Sequence, residues 1–332
     1  MPNTFVAFGE LLIRLTATGG KLLESLPDLA LHVGGAEANV CVGLARLGHA
    51  TRMISVVPDN ALGLAARDEL RRWGVDTAGV AQIPGRMGLY FLTPGAIHRP
   101  SDIVYDRAGS AFAAADFAAY DWGAALRGAD WLHVSGVTAA LGEASFNAAL
   151  AAVKAANAAG VKVSFDCNYR PKLWAAWGGD APKLIPQLMA GADLIFGGHR
   201  DIELVSGQKF ADARAAADHA FLSFPRLQRL VCTRREQVSA DHNRLAGLMF
   251  TRDATLETQM YEVAGIVDRI GGGDAFAAGV LHGLIDGETD AKALDYGIAC
   301  GCLKHAQPGD LSLATAADLD GFLSGDGFDV RR

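Results

Sequence analysis

The stretch Asp268-Arg269-Ile270-Gly271-Gly272-Gly273-Asp274-Ala275-Phe276-Ala277-Ala278-Gly279 decides how this chain is read. Three glycines run into an aspartate, and the spacing of Phe276, Val280 and Leu284 predicts a helix with one apolar face behind them. Glycines let backbone approach a ligand without a Cβ clash. The free N–H groups at a helix start point the same way, and the helix dipole favours an anion there. Such a cradle suits a phosphate whose charge grows in a transition state. Asp274 stands at its mouth, placed to take a proton from an attacking hydroxyl. A plain glycine-rich turn closed by a helix-capping aspartate fits the same residues.

Outward from this stretch, short apolar runs alternate with helical patterns. Strands are predicted at Phe5–Phe8, Met53–Val57, Trp131–Val134, Val161–Phe165, Leu194–Phe196 and Leu230–Cys232. Between them, Val40, Leu44 and Leu47 form a helical stripe that Gly48 stops. Asp59 is the expected cap of a helix that runs to about Trp73, with Gly74 beyond it. Glu143 to Ala159 reads as a helix closed by Gly160. This alternation implies an α/β fold with a mostly parallel sheet covered on both faces. Residues 10–33 and 88–107 break the rhythm with strand-like patterns and no helix between them. They are expected to form a small sheet projecting from the main body of a single domain, 1–332. The tail from Gly325 reads as a loose end.

Composition excludes several classes. The chain has 332 residues, half of them hydrophobic, and a net charge of -7. A chain of this length buries a sizeable core, and the mild acidity with no basic stripe speaks against nucleic acid. Glu10 and Arg14 interrupt the N-terminal apolar stretch, so no secretory signal is read, and no apolar run is long enough for a membrane span. A cytoplasmic protein is expected. Its five scattered cysteines suit small buried hydrophobes in a reducing compartment better than a disulfide framework or metal site. There is no P-loop and no His-Glu-x-x-His pair.

Two further stretches carry chemistry. In Gly34-Gly35-Ala36-Glu37-Ala38-Asn39 the paired glycines expose backbone, and Asn39 offers both donor and acceptor. Asp166-Cys167-Asn168-Tyr169-Arg170-Pro171-Lys172-Leu173-Trp174 follows a predicted strand, and residues at the C-terminal ends of parallel strands line the ligand crevice. Arg170 would be a fixed cation there, although a capped turn with an exposed arginine reads the same way. His133, inside an apolar strand, reads as a satisfied core histidine.

Together, in this order, the glycine–aspartate stretch and the Gly34–Asn39 stretch resemble the two signatures of the PfkB, or ribokinase-like, carbohydrate kinases. Gly272 replaces the alanine usual in the C-terminal one. The resemblance covers nearly the whole chain. It implies a three-layer α/β/α domain with a small β-sheet lid, ATP and magnesium as cofactors, and Asp274 as catalytic base. The amides of Gly271, Gly272 and Gly273 would form the anion hole, and Gly34, Gly35 and Asn39 would meet the sugar. The Asp166–Trp174 segment, Tyr105-Asp106-Arg107 and Lys304-His305-Ala306-Gln307-Pro308-Gly309-Asp310 resemble the 2-keto-3-deoxygluconate kinases. On that likeness Tyr90, Tyr105, Arg107, Arg170 and Asp310 would bind a sugar acid, and Arg offers a planar fork for its carboxylate. Asn168, Arg170, Thr233, Gly271 and Gly273 would serve the nucleotide.

The chain departs from the family where an Asn-x-x-Glu is usual: it has Gly198-His199-Arg200-Asp201, which leaves Asp201 as the candidate metal ligand. The usual glycine-rich nucleotide stretch is Thr233-Arg234-Arg235-Glu236-Gln237. The alternatives are a fructokinase or other kinase with a neutral substrate, and a sugar-sensing protein without turnover. A homodimer or higher oligomer formed through the lid is expected, because uncovered sheet edges seek partners.

Overall fold

The computed structural model describes residues 4–325; the segments 1–3 and 326–332, and with the latter nearly all of the tail read as a loose end, lie outside the described residues. Fourteen strands are found among the described residues: β1 (Thr4–Phe8), β2 (Leu12–Ala17), β3 (Leu29–Gly34), β4 (Ala50–Pro58), β5 (Asp76–Ile83), β6 (Gly88–Thr93), β7 (Asp102–Asp106), β8 (Trp131–Ser135), β9 (Lys162–Asp166), β10 (Leu194–Phe196), β11 (Arg229–Gln237), β12 (His242–Phe250), β13 (Thr255–Glu257) and β14 (Tyr261–Ala264). The main sheet runs β13-β12-β11-β10-β9-β8-β1-β4-β5, with β14 also on β12. From β5 to β11 every pairing is parallel; β12, β13 and β14 join antiparallel.

Alternation along β1 explains the layers. Val6 and Phe8 enter one hydrophobic core, Phe5 and Ala7 the other, and all four are buried. A strand buried on both faces needs helices on both. Helix Glu143–Ala158 packs into the first core, and helices Ala36–Arg46 and Gly272–Ile285 into the second. This is the three-layer α/β arrangement that the sequence predicts.

The lid is a second sheet, ordered β3-β2-β6-β7. Each expected segment folds as an antiparallel pair, and β2 runs parallel to β6 to join them. The register lines up His32, Arg14, Tyr90 and Tyr105 on one face and Leu31, Leu15, Phe91 and Val104 on the other, because side chains alternate along a strand.

Three expectations need correction. Asn60, not Asp59, caps helix Ala61–Arg72, its carboxamide oxygen accepting from the Leu62 and Gly63 amides. Asp274 does not cap its helix: Gly271 is the N-cap, in the left-handed region at φ 79°, and Asp274 is the third helical residue. The strand predicted at Leu230–Cys232 does not stop there but continues through Thr233–Gln237. This segment prolongs β11 beyond the sheet, paired with β12 as far as Gln237 opposite Asn243, and Arg234 pairs with Glu257. An antiparallel partner satisfies the backbone of this highly charged segment, which has no apolar pattern to announce a strand. β5 and β12–β14 were missed for the same reason, since their residues mix apolar and polar types.

His133 is buried, its Nδ1 2.8 Å from Ser164 Oγ, and burial pushes its imidazole down to about 3. It is a core histidine. The five cysteines are all free.

Candidate active site

A cavity of about 370 Å³ lies between the C-terminal ends of the central strands and the lid. Gly35, Ala36 and Asn39 from the first signature line it, as do Tyr90, Tyr105 and Arg107 from the lid. Asp166, Asn168 and Arg170 follow β9; Gly271, Gly272, Gly273 and Asp274 open the long apolar helix; Asp310 closes the ring. Chain segments far apart in sequence thus meet in one space, at the strand ends where an open α/β sheet offers its crevice.

The cradle is built by backbone constraint. A Cβ on Gly271 would come 1.9 Å from the Asp310 carbonyl oxygen, and the left-handed φ there also favours glycine. Nothing lies within 4 Å of a Cβ built on Gly273, so its face opens into the cavity. The first helical hydrogen bond is Ala275 N–H to Gly271 O. Before it, the Gly272 amide makes a long bond of 3.4 Å to the Arg269 carbonyl, while the Gly273 and Asp274 amides have no helical partner, which is the arrangement that receives an anion at a helix start.

Asp274 receives a hydrogen bond from Asn39 Nδ2 at 2.6 Å, so the two signatures meet directly. Its carboxyl is pushed up to about 7, chiefly by burial, against the pull of Asn39 and with the charges of Asp310 and Glu37 adding to the rise. Asp166, missing from the sequence-predicted site although it opens a quoted motif, is pushed up to about 8 by burial and by Asp274. Its Oδ1 accepts from the Asn168 amide, and Asn168 holds a left-handed φ of 32° to make that turn. Arg170 is exposed and is the cation that acts on both acids.

On the lid side the acids are paired. Arg14, fully buried, reaches Asp268 with both terminal nitrogens and Asp310 with Nε at 3.1 Å. Asp310 also accepts from Tyr90 Oη at 2.7 Å. Asp268 accepts from the Ile270 and Gly309 amides, which fixes both ends of the loops that frame the cradle. Arg107 donates from Nε to Glu10 at 2.7 Å, and Ser110 Oγ bonds the other Glu10 oxygen. Sequence reading missed Glu10, Arg14 and Asp268. Two charges inside an apolar N-terminal stretch were the available signal.

Three predicted residues lie outside the cavity lining. Gly34 stands behind it, where a Cβ would strike the Asp310 carboxylate. Thr233 is exposed on β11. Asp201 spends one oxygen on the Gly198 amide at 2.8 Å as a helix cap.

Residues 3–316 match the model of the pfkB family carbohydrate kinases. The chain belongs to that family. It is a carbohydrate kinase, a phosphotransferase acting on a sugar hydroxyl. It is 33% identical over 327 residues to a 2-dehydro-3-deoxygalactonokinase of Haloferax volcanii, covering 98% of each chain. It is 30% identical to a 2-dehydro-3-deoxygluconokinase of Bacillus subtilis, covering 96% of this kinase and 95% of the other. The solved 2-dehydro-3-deoxygluconokinase of Thermotoga maritima superposes with a TM-score of 0.91 at 35% identity, covering 97% of this kinase and all of that chain. The fold is therefore ribokinase-like, as expected. No helix among the described residues is long and apolar enough to cross a membrane.

Proposed function

We propose that this kinase transfers the γ-phosphoryl of ATP to the terminal hydroxyl of 2-keto-3-deoxygluconate. The observation that carries the reading is the meeting of Asp274, pushed up to about 7, with an open glycine cradle in a cavity that also contains Arg107 and Arg170. Asp274 takes the hydroxyl proton, and the freed oxygen attacks the phosphorus in line. The amides of Gly271 to Gly273 hold the charge that develops, which is where preorganised donors contribute most. A base with a value near the working pH combines availability with driving force. Asn39 holds the carboxylate in place. Arg107, oriented by Glu10, offers its terminal nitrogens to the sugar carboxylate, and Tyr90, Tyr105 and Asp310 receive the hydroxyls.

Magnesium fits the donor set. Asp166 and Asp274 are both raised by desolvation, and the Asp274 charge raises Asp166 further, which is the environment that a divalent ion relieves. Magnesium is commonly held by one or two carboxylates together with substrate phosphates. Asp166 would hold it, with Asp201 behind, and the ion would supply neutralisation of the phosphate charge. Asn168, Arg170 and Thr233 would serve the nucleotide on the same side.

The lid supports a dimer. Leu31 and Val104 at the two ends of its outer row are both half exposed, with Leu15 and Phe91 between them, so the row is an apolar face open to a second copy.

The test is kcat/KM for 2-keto-3-deoxygluconate, its galactonate epimer and fructose, measured side by side. A preference for either sugar acid over fructose supports the carboxylate reading, and the gluconate form is expected to lead. A preference for fructose makes the protein a fructokinase, and sugar binding without turnover makes it a sensor.

A further inference from the structure

Asp274 and Asn39 meet at the N-terminal ends of two helices that run side by side, Gly272–Ile285 and Ala36–Arg46. The helices touch closely: a Cβ on Gly43 would come 2.7 Å from the Ala278 methyl. At their C-terminal ends, roughly 12 Å along the axis at 1.5 Å per residue, lies a second polar cluster that phosphoryl transfer does not use. His49 Nε2 is 2.7 Å from His282 Nδ1, and His282 Nδ1 is 3.4 Å from Asp286 Oδ2. One donor atom from each residue falls within 4.8 Å of the others. His282 and Asp286 are four residues apart on one helix, and His49 follows the other, just past Gly48 with its left-handed φ of 97°.

We propose that His49, His282 and Asp286 form a three-ligand site for a zinc-class divalent ion. Two imidazoles and a carboxylate are the ligand types such an ion takes, with a fourth position left to water. The remaining requirements are met locally. Burial disfavours the charged form of both imidazoles, and the neutral ring is the form that ligates. The charge around them is acidic: Asp286, Glu288 and Asp320 act on His282. Tyr296 packs on the His282 ring with centroids 5.0 Å apart, fixing its plane. His49 is half-buried and Asp286 exposed, so water and ions reach the cluster. Tetrahedral zinc separates two nitrogen ligands by roughly 3.3 Å, so the imidazoles need to part by about 0.6 Å. The His49 loop and the exposed Asp286 side chain give that movement. A bound ion would tie together the far ends of the helices whose near ends carry the base and its partner.

The ordinary alternative is a proton shared between two neutral imidazoles. Zinc alone, titrated into the full chain against a chromogenic chelator, separates the two. One site per chain is expected, and cobalt in its place should give the intense visible bands of a tetrahedral ion. His49→Gln and Asp286→Asn should each weaken zinc at least tenfold and abolish the zinc-dependent rise in melting temperature, while sugar phosphorylation without added zinc stays at the parent's level. His282 is more buried, and its replacement risks the fold, so the other two carry the test. No competition with the chelator, or parent-like affinity in both variants, would overturn the site.

Discussion

Two walls of acids frame the site, and they are treated oppositely, although of the lid-side three Asp310 alone lines the cavity. On the lid side Asp268, Asp310 and Glu10 each meet a buried arginine. On the cradle side Asp166 and Asp274 have no paired cation, and their carboxyls rise to about 8 and 7. The lid-side acids position loops and are compensated for it. The cradle-side acids are left short of positive charge, which suits the base and the metal–phosphate site proposed for them. On the proposed mechanism, perturbation marks the reacting groups, while ion pairing marks the frame. Asp310 lies between the two classes, pushed up by burial and pulled back by Arg14 and the Tyr90 hydroxyl.

The largest effect that can break this contrast is at Arg14. Arg14→Met leaves Asp268 and Asp310 without their buried partner, and breaking such a pair costs about 3–5 kcal/mol. Chemical denaturation should report a loss of that size, with turnover falling as the cradle loops lose their anchor. A loss under about 1 kcal/mol, the size of an exposed pair, would mean that the lid-side charges frame nothing.

Next is Arg107. Losing a charge-assisted bond worth about 1.5–3 kcal/mol predicts a ten- to hundredfold drop in kcat/KM for the sugar acid and little change for fructose. Because Glu10 would be stranded, the substitution belongs in a Glu10→Gln background, where a drop for the acid alone isolates the substrate contact. An equal drop for both sugars would assign Arg107 wholly to the frame. Arg107→Lys should rescue only in part, since an ammonium lacks the planar fork.

The smallest effect is at Asp201. It is the third helical residue, reaching back to the Gly198 amide at the N-cap, and Asn keeps an acceptor there. Asp201→Asn should therefore leave stability unchanged. If the carboxylate also faces magnesium, the magnesium concentration needed for half-maximal rate should rise, and an unchanged requirement would remove Asp201 from the metal site.

The two walls were unequally legible in the sequence. The cradle announced itself because its function needs glycines and an aspartate at fixed spacing, and the parallel strands because burial on both faces makes them continuous apolar runs. The frame did not. Arg14 and Asp268 lie 254 residues apart, and each alone is only a charge in an apolar neighbourhood. Asp166 is hard to single out in the sequence because an aspartate before a turn has a ready local use. β12–β14 and the outer half of β11 were illegible because antiparallel pairing at a sheet edge tolerates polar residues. Arg107 reads as a ligand of the sugar carboxylate, and nothing in its own segment points to Glu10.

The central claim is that Asp274 is the base and that burial sets its working range. The direct measurement is the pH dependence of kcat/KM for the sugar acid in the parent and in Asp274→Asn, with ATP affinity measured alongside. A carboxyl raised to about 7 is protonated below that value. The parent rate should therefore fall about tenfold per pH unit on the acid side and level off above it, as an apparent value shared with Asp166. Linkage gives the matching sign for stability. A raised acid favours folding at low pH and opposes it increasingly as pH climbs from the ordinary carboxyl range through about 7, so Asp274→Asn should melt higher than the parent at pH 8. The account predicts that the variant binds ATP as the parent does, turns over at least ~100-fold more slowly and loses the parent's acid limb. Turnover within a few-fold of the parent, with the limb intact, would contradict it.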